Sequence, residues 1–155
     1  AYIPLNGVML SVDSNQRLII NDQVLEIRNL LTNDLARLHS NGHFSIIGRA
    51  DNVICSGGLK WLPEDIEENL SALPFPFQIT SIPNDKLGHA VAIIYTSHHT
   101  PQQVQQLCRT LIQGPSCPKH CFKVDTLPVT PTGKPARAVA RAIAQQLSES
   151  VKPHE

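Results

Sequence analysis

Gly48-Arg49-Ala50-Asp51-Asn52-Val53-Ile54-Cys55-Ser56-Gly57-Gly58-Leu59-Lys60-Trp61-Leu62-Pro63-Glu64-Asp65-Ile66-Glu67 is the stretch on which the reading of this chain turns. Before it the apolar pattern is that of strands; after it helices and strands alternate. Within it, Val53-Ile54-Cys55 and Leu59-Lys60-Trp61-Leu62 flank Ser56-Gly57-Gly58, which predicts a short hairpin turned on glycines that accept positive φ. Pro63 suits a first helical position, where its missing N–H would have had no partner, and Glu64, Asp65 and Glu67 suit the positive end of the helix dipole. Ile66, Leu70 and Leu73 give that helix a narrow apolar stripe, and Pro74 and Pro76 are expected to end it.

Upstream, Val8-Met9-Leu10-Ser11-Val12 and Arg17-Leu18-Ile19-Ile20 flank the turn residues Asp13-Ser14-Asn15. Leu35–Leu38 and His43–Ile47 flank Asn41-Gly42, which predicts a two-residue hairpin turn. Strands of this kind cannot bury both faces alone, so residues 1–50 read as the β-rich tail of a larger domain. The start, Ala1-Tyr2-Ile3-Pro4-Leu5, has no initiator Met and no basic or apolar leader pattern, and reads as a boundary inside a longer protein.

Downstream, Ile79–Ile82 and Ala90–Tyr95 read as strands joined by the turn Asn84-Asp85-Lys86-Leu87-Gly88. Thr100 followed by Pro101 predicts a capped helix with Val104, Leu107, Cys108, Leu111 and Ile112 on one face, stopped by Gly114-Pro115. Cys121-Phe122-Lys123-Val124 reads as a further strand. A last helix is expected from about Pro135, burying Ala136, Val139, Ala140, Ile143, Ala144 and Leu147. The order hairpin, α, β, β, α, β, α predicts an α+β domain over residues 51–155, with about three helices packed on a short sheet.

Bulk properties exclude some classes. Thirteen basic residues balance thirteen acidic ones and aromatic residues make up 5%, so neither a phosphate-tracking patch nor a base-stacking platform is expected. No apolar run approaches the ~20 residues of a membrane-spanning helix. Cys117-Pro118-Lys119-His120-Cys121 raises a zinc reading, but no second Cys/His pair stands at matching spacing. Free thiols are the expectation for Cys55, Cys108, Cys117 and Cys121, with a Cys117–Cys121 disulfide open in an oxidising compartment.

A second block, Leu127-Pro128-Val129-Thr130-Pro131-Thr132-Gly133-Lys134-Pro135-Ala136-Arg137, lies a small domain's length beyond the first. Lys134 follows a tight glycine turn near a helix start, where an ammonium is exposed and mobile. It is not a phosphate loop of the Gly-x4-Gly-Lys-Ser/Thr type. In this order the two blocks resemble the C-terminal end of the adenylate-forming enzymes, which include acyl- and aryl-CoA ligases, peptide-synthetase adenylation domains and luciferases. The resemblance covers nearly the whole chain. Residues 51–155 would then be the C-terminal lid domain, and the N-terminal adenylating core would be its partner in cis.

The resemblance implies the remaining assignments. Pro128, Thr130, Gly133, Lys134 and Arg137 match the block of the adenylation lysine, which makes Lys134 the catalytic residue. Asp34, preceded by Thr32-Asn33 where the family usually has Thr-Gly, would take the ribose hydroxyls of ATP, and Arg49 would also reach the nucleotide. Asp51 falls at the family's hinge. Ser56, Gly57 and Gly58 fall on the loop that borders the CoA thiol channel in the second half-reaction, with Lys60 beside it. ATP, Mg2+ and CoA are the implied cosubstrates, a small carboxylic acid the substrate, and the cytoplasm the location. No nucleic-acid or membrane partner is expected, and a homodimer stays open. Thr-Asn-Asp-Leu followed by Gly-Arg-Ala-Asp-Asn-Val-Ile-x-Ser-Gly-Gly-x-Lys looks most like the o-succinylbenzoate–CoA ligases of menaquinone biosynthesis. Another acyl- or aryl-CoA ligase, a peptide-synthetase adenylation domain, and a non-catalytic α+β binding module are the alternatives. By itself the chain is expected to be inactive.

Overall fold

Residues Ala1–Asn52 form one unit and the chain from Val53 another; the computed structural model describes residues 1–151. The first unit is an antiparallel meander of β1 (Val8–Val12), β2 (Arg17–Asp22), β3 (Ile27–Leu38) and β4 (Phe44–Arg49), closed by a 3-10 turn at Ala50–Asn52. Asp13 makes the first turn by accepting the N–H groups of Asn15 and Arg17 and pairing with the Arg17 guanidinium at 2.8 Å. Strand β3 starts eight residues before the predicted Leu35. Asp22 and Asn21 side chains organise its entry, and Asn29 takes φ 49° there, so the strand carries irregular register that its polar sequence does not advertise.

The Asn41-Gly42 turn differs from the two-residue form predicted. His39 and His43 pair through N–H···O at 2.9 Å, and Gly42 N–H donates to His39 O, leaving a three-residue loop. Only Gly42 has positive φ, 79°, because the Asn41 side chain spends its oxygen on His43 N–H instead. Leu18, Leu35 and Ala36 are the buried apolar side chains of this unit among the described residues. Met9, Val24, Leu25, Leu30 and Leu31 are exposed.

The second unit is α+β. It contains β5 (Ile54–Ser56), β6 (Leu59–Trp61), α1 (Pro63–Asn69), β7 (Phe77–Asn84), β8 (Gly88–Tyr95), α2 (Pro101–Leu111), β9 (His120–Lys123) and α3 (Arg137–Val151). Strand β8 is central. It pairs antiparallel with β7 along one edge; on the other it pairs parallel with β9 at Ala92–Tyr95 and antiparallel with β5 at Gly88. Both faces of β8 are buried, which is why His89 is followed by an unbroken apolar run. Val91, Ile93 and Tyr95 join Ile66 and Leu70 of α1 and its exit, and Val104 and Cys108 of α2, in one cluster. Ala90, Ala92 and Ile94 meet Ala140 and Ala144 of α3 in the other. Alternation along one strand thus sorts three helices onto two faces.

Three helix details depart from expectation. Helix α1 ends at Asn69, not at Pro74: Leu70 N–H turns back to the Glu68 and Ile66 carbonyls, and Leu73 is buried from the turn that follows. Helix α3 starts at Arg137, since Pro135 is held in a β-bridge to Val129. Val139 and Leu111 are exposed, because α3 turns Ala140, Ala144 and Arg137 inward and α2 turns Val104 and Cys108 inward. Thr100 does cap α2, with the reciprocal Gln103 contact of a capping box. All four cysteines are free thiols.

Candidate active site

The predicted site residues fall into three constellations. In the first unit, Asp34 and Arg49 are direct cross-strand partners of β3 and β4. The Arg49 guanidinium reaches Asp34 Oδ1 and Asp51 Oδ2, each at 3.1 Å, and Asn33 Nδ2 donates to the same Asp51 oxygen at 3.5 Å. The Asp51 hydrogen bond, with the two carboxylate charges, holds Arg49 above its ordinary range. All three side chains are substantially exposed, so these pairs add little to stability. Their effect is to hold two carboxylates in register at a sheet end, where they can accept hydroxyl donors.

The second constellation is the β5–β6 hairpin. Gly57 and Gly58 take φ 58° and 80°, the pair of positive values that closes a two-residue turn of the right twist. Gly57 N–H donates to Leu87 O at 3.0 Å, which ties the hairpin to the β7–β8 turn. A Cβ at Gly57 would stand 3.2 Å from Leu87 Cδ2. Ser56, Gly57, Leu59, Leu87, Cys117 and Lys119 line a cavity of about 220 Å³ beside it. Lys60 is exposed on β6, paired in register with Cys55.

The third is the Lys134 loop. Thr130 N–H donates to Lys134 O at 2.7 Å, Gly133 N–H to Thr130 O at 2.8 Å, and Lys134 N–H to Thr130 Oγ1 at 3.1 Å. Gly133 supplies the positive φ, 81°. Lys134 therefore rides on a self-braced loop rather than on a helix end, and its ammonium is exposed with no ion pair among the described residues.

Gln78 and Glu67, to which sequence reasoning gave no site role, and Arg137, named there only as part of the motif, hold that loop. Gln78, buried on β7, donates to Pro128 O at 2.8 Å. Arg137 forks onto Glu67 of α1 at 2.5 and 2.8 Å and also donates to Ile79 O at 3.2 Å. Glu67 in turn accepts Ile79 N–H at 2.8 Å. Burial works against the Arg137 charge, but the Glu67 fork with Glu67 and Glu64 charges outweighs it and raises its pKa. The signal was present: an acid in the first motif block and a base in the second, opposite in sign and 70 residues apart.

The Lys134 loop is moored near the beginning of β7, and the glycine hairpin beyond the end of that strand, to Leu87 of the turn and Gly88 of β8. Ser56 pairs with Gly88, which pairs with Asn84 at the end of β7; Gln78 and Ile79 lie near its beginning. Six residues of strand separate them, about 20 Å. Among the described residues no group of three or more His, Cys, Asp or Glu can hold a metal ion, so the magnesium implied by the resemblance finds no protein cage here.

No family model matches the chain. A medium/long-chain-fatty-acid–CoA/3-oxocholest-4-en-26-oate–CoA ligase of Mycolicibacterium smegmatis is 28% identical over 126 residues, 77% of this chain and 23% of its own length. A long-chain-fatty-acid–CoA ligase of Yersinia pestis is 30% identical over 131 residues, 81% of this chain and 23% of its own. The structure of an acyl-CoA synthetase (AMP-forming)/AMP-acid ligase II-like protein from Dyadobacter fermentans matches 92% of this chain and 43% of its own, at 26% identity and TM-score 0.57. These relatives are acyl-CoA ligases and this structural neighbour is an AMP-forming acyl-CoA synthetase-like protein, and the mixed α+β fold of the chain matches the C-terminal domain of adenylate-forming enzymes. The chain spans about a quarter of the length of the curated relatives it matches.

Proposed function

We propose that this chain is the C-terminal part of an ATP-dependent acid–CoA ligase, comprising the last β segment of the adenylating core and the lid that follows. The observation that carries the reading is that the Lys134 loop is moored near the beginning of β7 and the glycine hairpin beyond its end, at Leu87 and Gly88, with moorings about 20 Å apart along the strand direction. Two groups so placed cannot serve one reacting carbon together. They can serve it in turn if the lid rotates, with Asp51 as the hinge.

In the first half-reaction a carboxylate oxygen attacks the α-phosphorus of ATP, the α–β bridging P–O bond breaks, and pyrophosphate leaves. Negative charge gathers on the attacking and leaving oxygens, and the mobile Lys134 ammonium stabilises it without changing covalently. Asp34 accepts the ribose hydroxyls, and Arg49 exchanges a carboxylate partner for the nucleotide. In the second, the CoA thiol loses its proton and its sulfur attacks the acyl carbon. The C–O bond to AMP breaks and the thioester forms. Ser56, Gly57 and Gly58 then border the thiol arm, since glycine allows its backbone to come close, and Lys60 lies beside them.

The first unit supports a partner in cis. Neither core cluster lies within it, and its sheet leaves Met9, Leu30 and Leu31 exposed. The N-terminal adenylating core covers these side chains and supplies the acid pocket, so the chain alone is inactive. Thioester made by this chain alone would overturn that. The enzyme works in the cytoplasm, with ATP, Mg2+ and CoA.

The acid is the finer question. The motif blocks favour o-succinylbenzoate; the names of the relatives, which specify medium- and long-chain fatty acids and a sterol side-chain acid, favour an apolar acid. The test uses the full-length protein with ATP, magnesium, CoA and a panel holding both classes. Adenylate and thioester are read by mass spectrometry, with Lys134→Ala alongside. Loss of adenylate with retained conversion of synthetic acyl-adenylate is the expected result. Equal behaviour of the two proteins, or no turnover of any acid, would overturn the reading.

A further inference from the structure

Resting on the reading above, we infer that Glu67 is the positioning residue for Lys134: through Arg137 it fixes the base of the loop that carries the lysine. The loop is internally rigid, with four hydrogen bonds inside Thr130–Lys134. A rigid loop can be misaimed only at its feet. One foot is Pro128, whose carbonyl accepts two neutral hydrogen bonds, from Gln78 Nε2 at 2.8 Å and from Ala136 N–H at 3.0 Å. The other is Arg137, the first residue of α3, held by a charged fork onto Glu67.

Glu67 is the hub of this second foot. It takes both guanidinium nitrogens and the Ile79 N–H, while Arg137 gives a further bond to Ile79 O. Both backbone groups of Ile79 on β7 are thereby satisfied by the two side chains. The pair joins α1, packed on one face of the sheet, to α3 on the other. The Arg137 side chain is 14% exposed and Glu67 22%, so water cannot readily take the place of either partner. Fork geometry specifies direction as well as attraction. The glycine hairpin shares none of these contacts; it is moored to Leu87, in the turn after β7, and to Gly88 of β8. Glu67 should therefore bear on the half-reaction that uses Lys134 and not on the one that uses the hairpin.

The experiment compares wild type, Glu67→Gln, Arg137→Lys and Lys134→Ala in the full-length protein. Glutamine keeps an oxygen for Ile79 N–H but loses the charged fork; Arg137→Lys keeps the charge, loses the fork, and stands in should Glu67→Gln not fold. ATP–pyrophosphate exchange reports adenylation, and thioester formation from synthetic acyl-adenylate reports the second step. Hydrogen exchange at the Gly133 and Lys134 amides reports the loop. Glu67→Gln is expected to lower kcat for exchange by roughly 10- to 100-fold, the cost of a misplacement of about 1 Å. KM for ATP and acid and the thioester step should change little. A merely structural role predicts equal loss in both half-reactions, and that result would overturn the inference, as would unchanged adenylation. If Lys134→Ala abolishes adenylation while Glu67→Gln and Arg137→Lys leave it intact, the positioning role alone fails. If Lys134→Ala is harmless, the ligase assignment of Lys134 falls with it.

Discussion

Cys55 and Cys108 differ only in where the fold puts them. Cys55 faces outward on β5, whereas Cys108 is buried on α2 beside Cys117 and Cys121. Burial, then the neighbouring thiols, pushes Cys108 up to about 12; burial likewise pushes Cys121 up to about 11. Only thiolates alkylate quickly, so iodoacetamide at pH 8 should modify Cys55 first and the other three only on unfolding. Mass mapping of the adducts checks this, and early labelling of Cys108 would contradict it. The same shifts set a sign for pH dependence. A folded pKa above the unfolded value near 9 stabilises fully below pH 9, and this contribution is lost as pH rises through 11 to 12. Urea midpoints should therefore fall between pH 9 and 11, and a flat profile would contradict the burial of these thiols. Replacing Glu67 by Ala would leave the Ile79 N–H without its acceptor and the largely buried Arg137 guanidinium with only Ile79 O and the more distant Glu64; about 2 kcal/mol of lost stability is expected from chemical denaturation.

At the scale of elements, the signals that proved legible were those whose physics is local. Thr100-Pro101 with Gln103 specifies a capping box within one helical turn, and Thr100→Ala should cost about 1 kcal/mol. For a unit of this size that lowers Tm by about 4–8 °C in a calorimetric scan. Ser56-Gly57-Gly58 specifies its turn as locally, since both glycines must take positive φ. Elements set by non-local partners were harder to read. Strand β3 gains its first eight residues from side-chain bonds of Asn21 and Asp22 and from pairing with β2 across a register shift. Helix α3 loses its expected start to a bridge between Val129 and Pro135. The candidate site divides in the same way. Lys134 and the glycines stand in contiguous motifs, while Glu67, Gln78 and Arg137 act together only because β7 brings them side by side.

At the scale of the whole molecule, apolar burial is uneven. From Val53 onward, two clusters fill both faces of one sheet, and β8 contributes alternate residues to each. Before Val53, a four-stranded sheet buries Leu18, Leu35 and Ala36 among the described residues, while Met9, Val24, Leu25, Leu30 and Leu31 stay exposed. A sheet with one layer and no facing helix gains too little apolar burial to offset the entropy of ordering its strands. Local opening in the first unit should therefore be frequent, and opening of the second should require its global unfolding. Limited proteolysis of the 155-residue chain is the direct check. Early cuts should fall before residue 53, leaving a resistant fragment that begins near Val53 and unfolds in one cooperative transition. The full-length protein under the same conditions should resist those early cuts, because the proposed N-terminal core covers the exposed leucines. Equal cleavage of residues 1–52 in both proteins would mean that no such cover exists, and with it would go the argument that this sheet completes a larger adenylating domain.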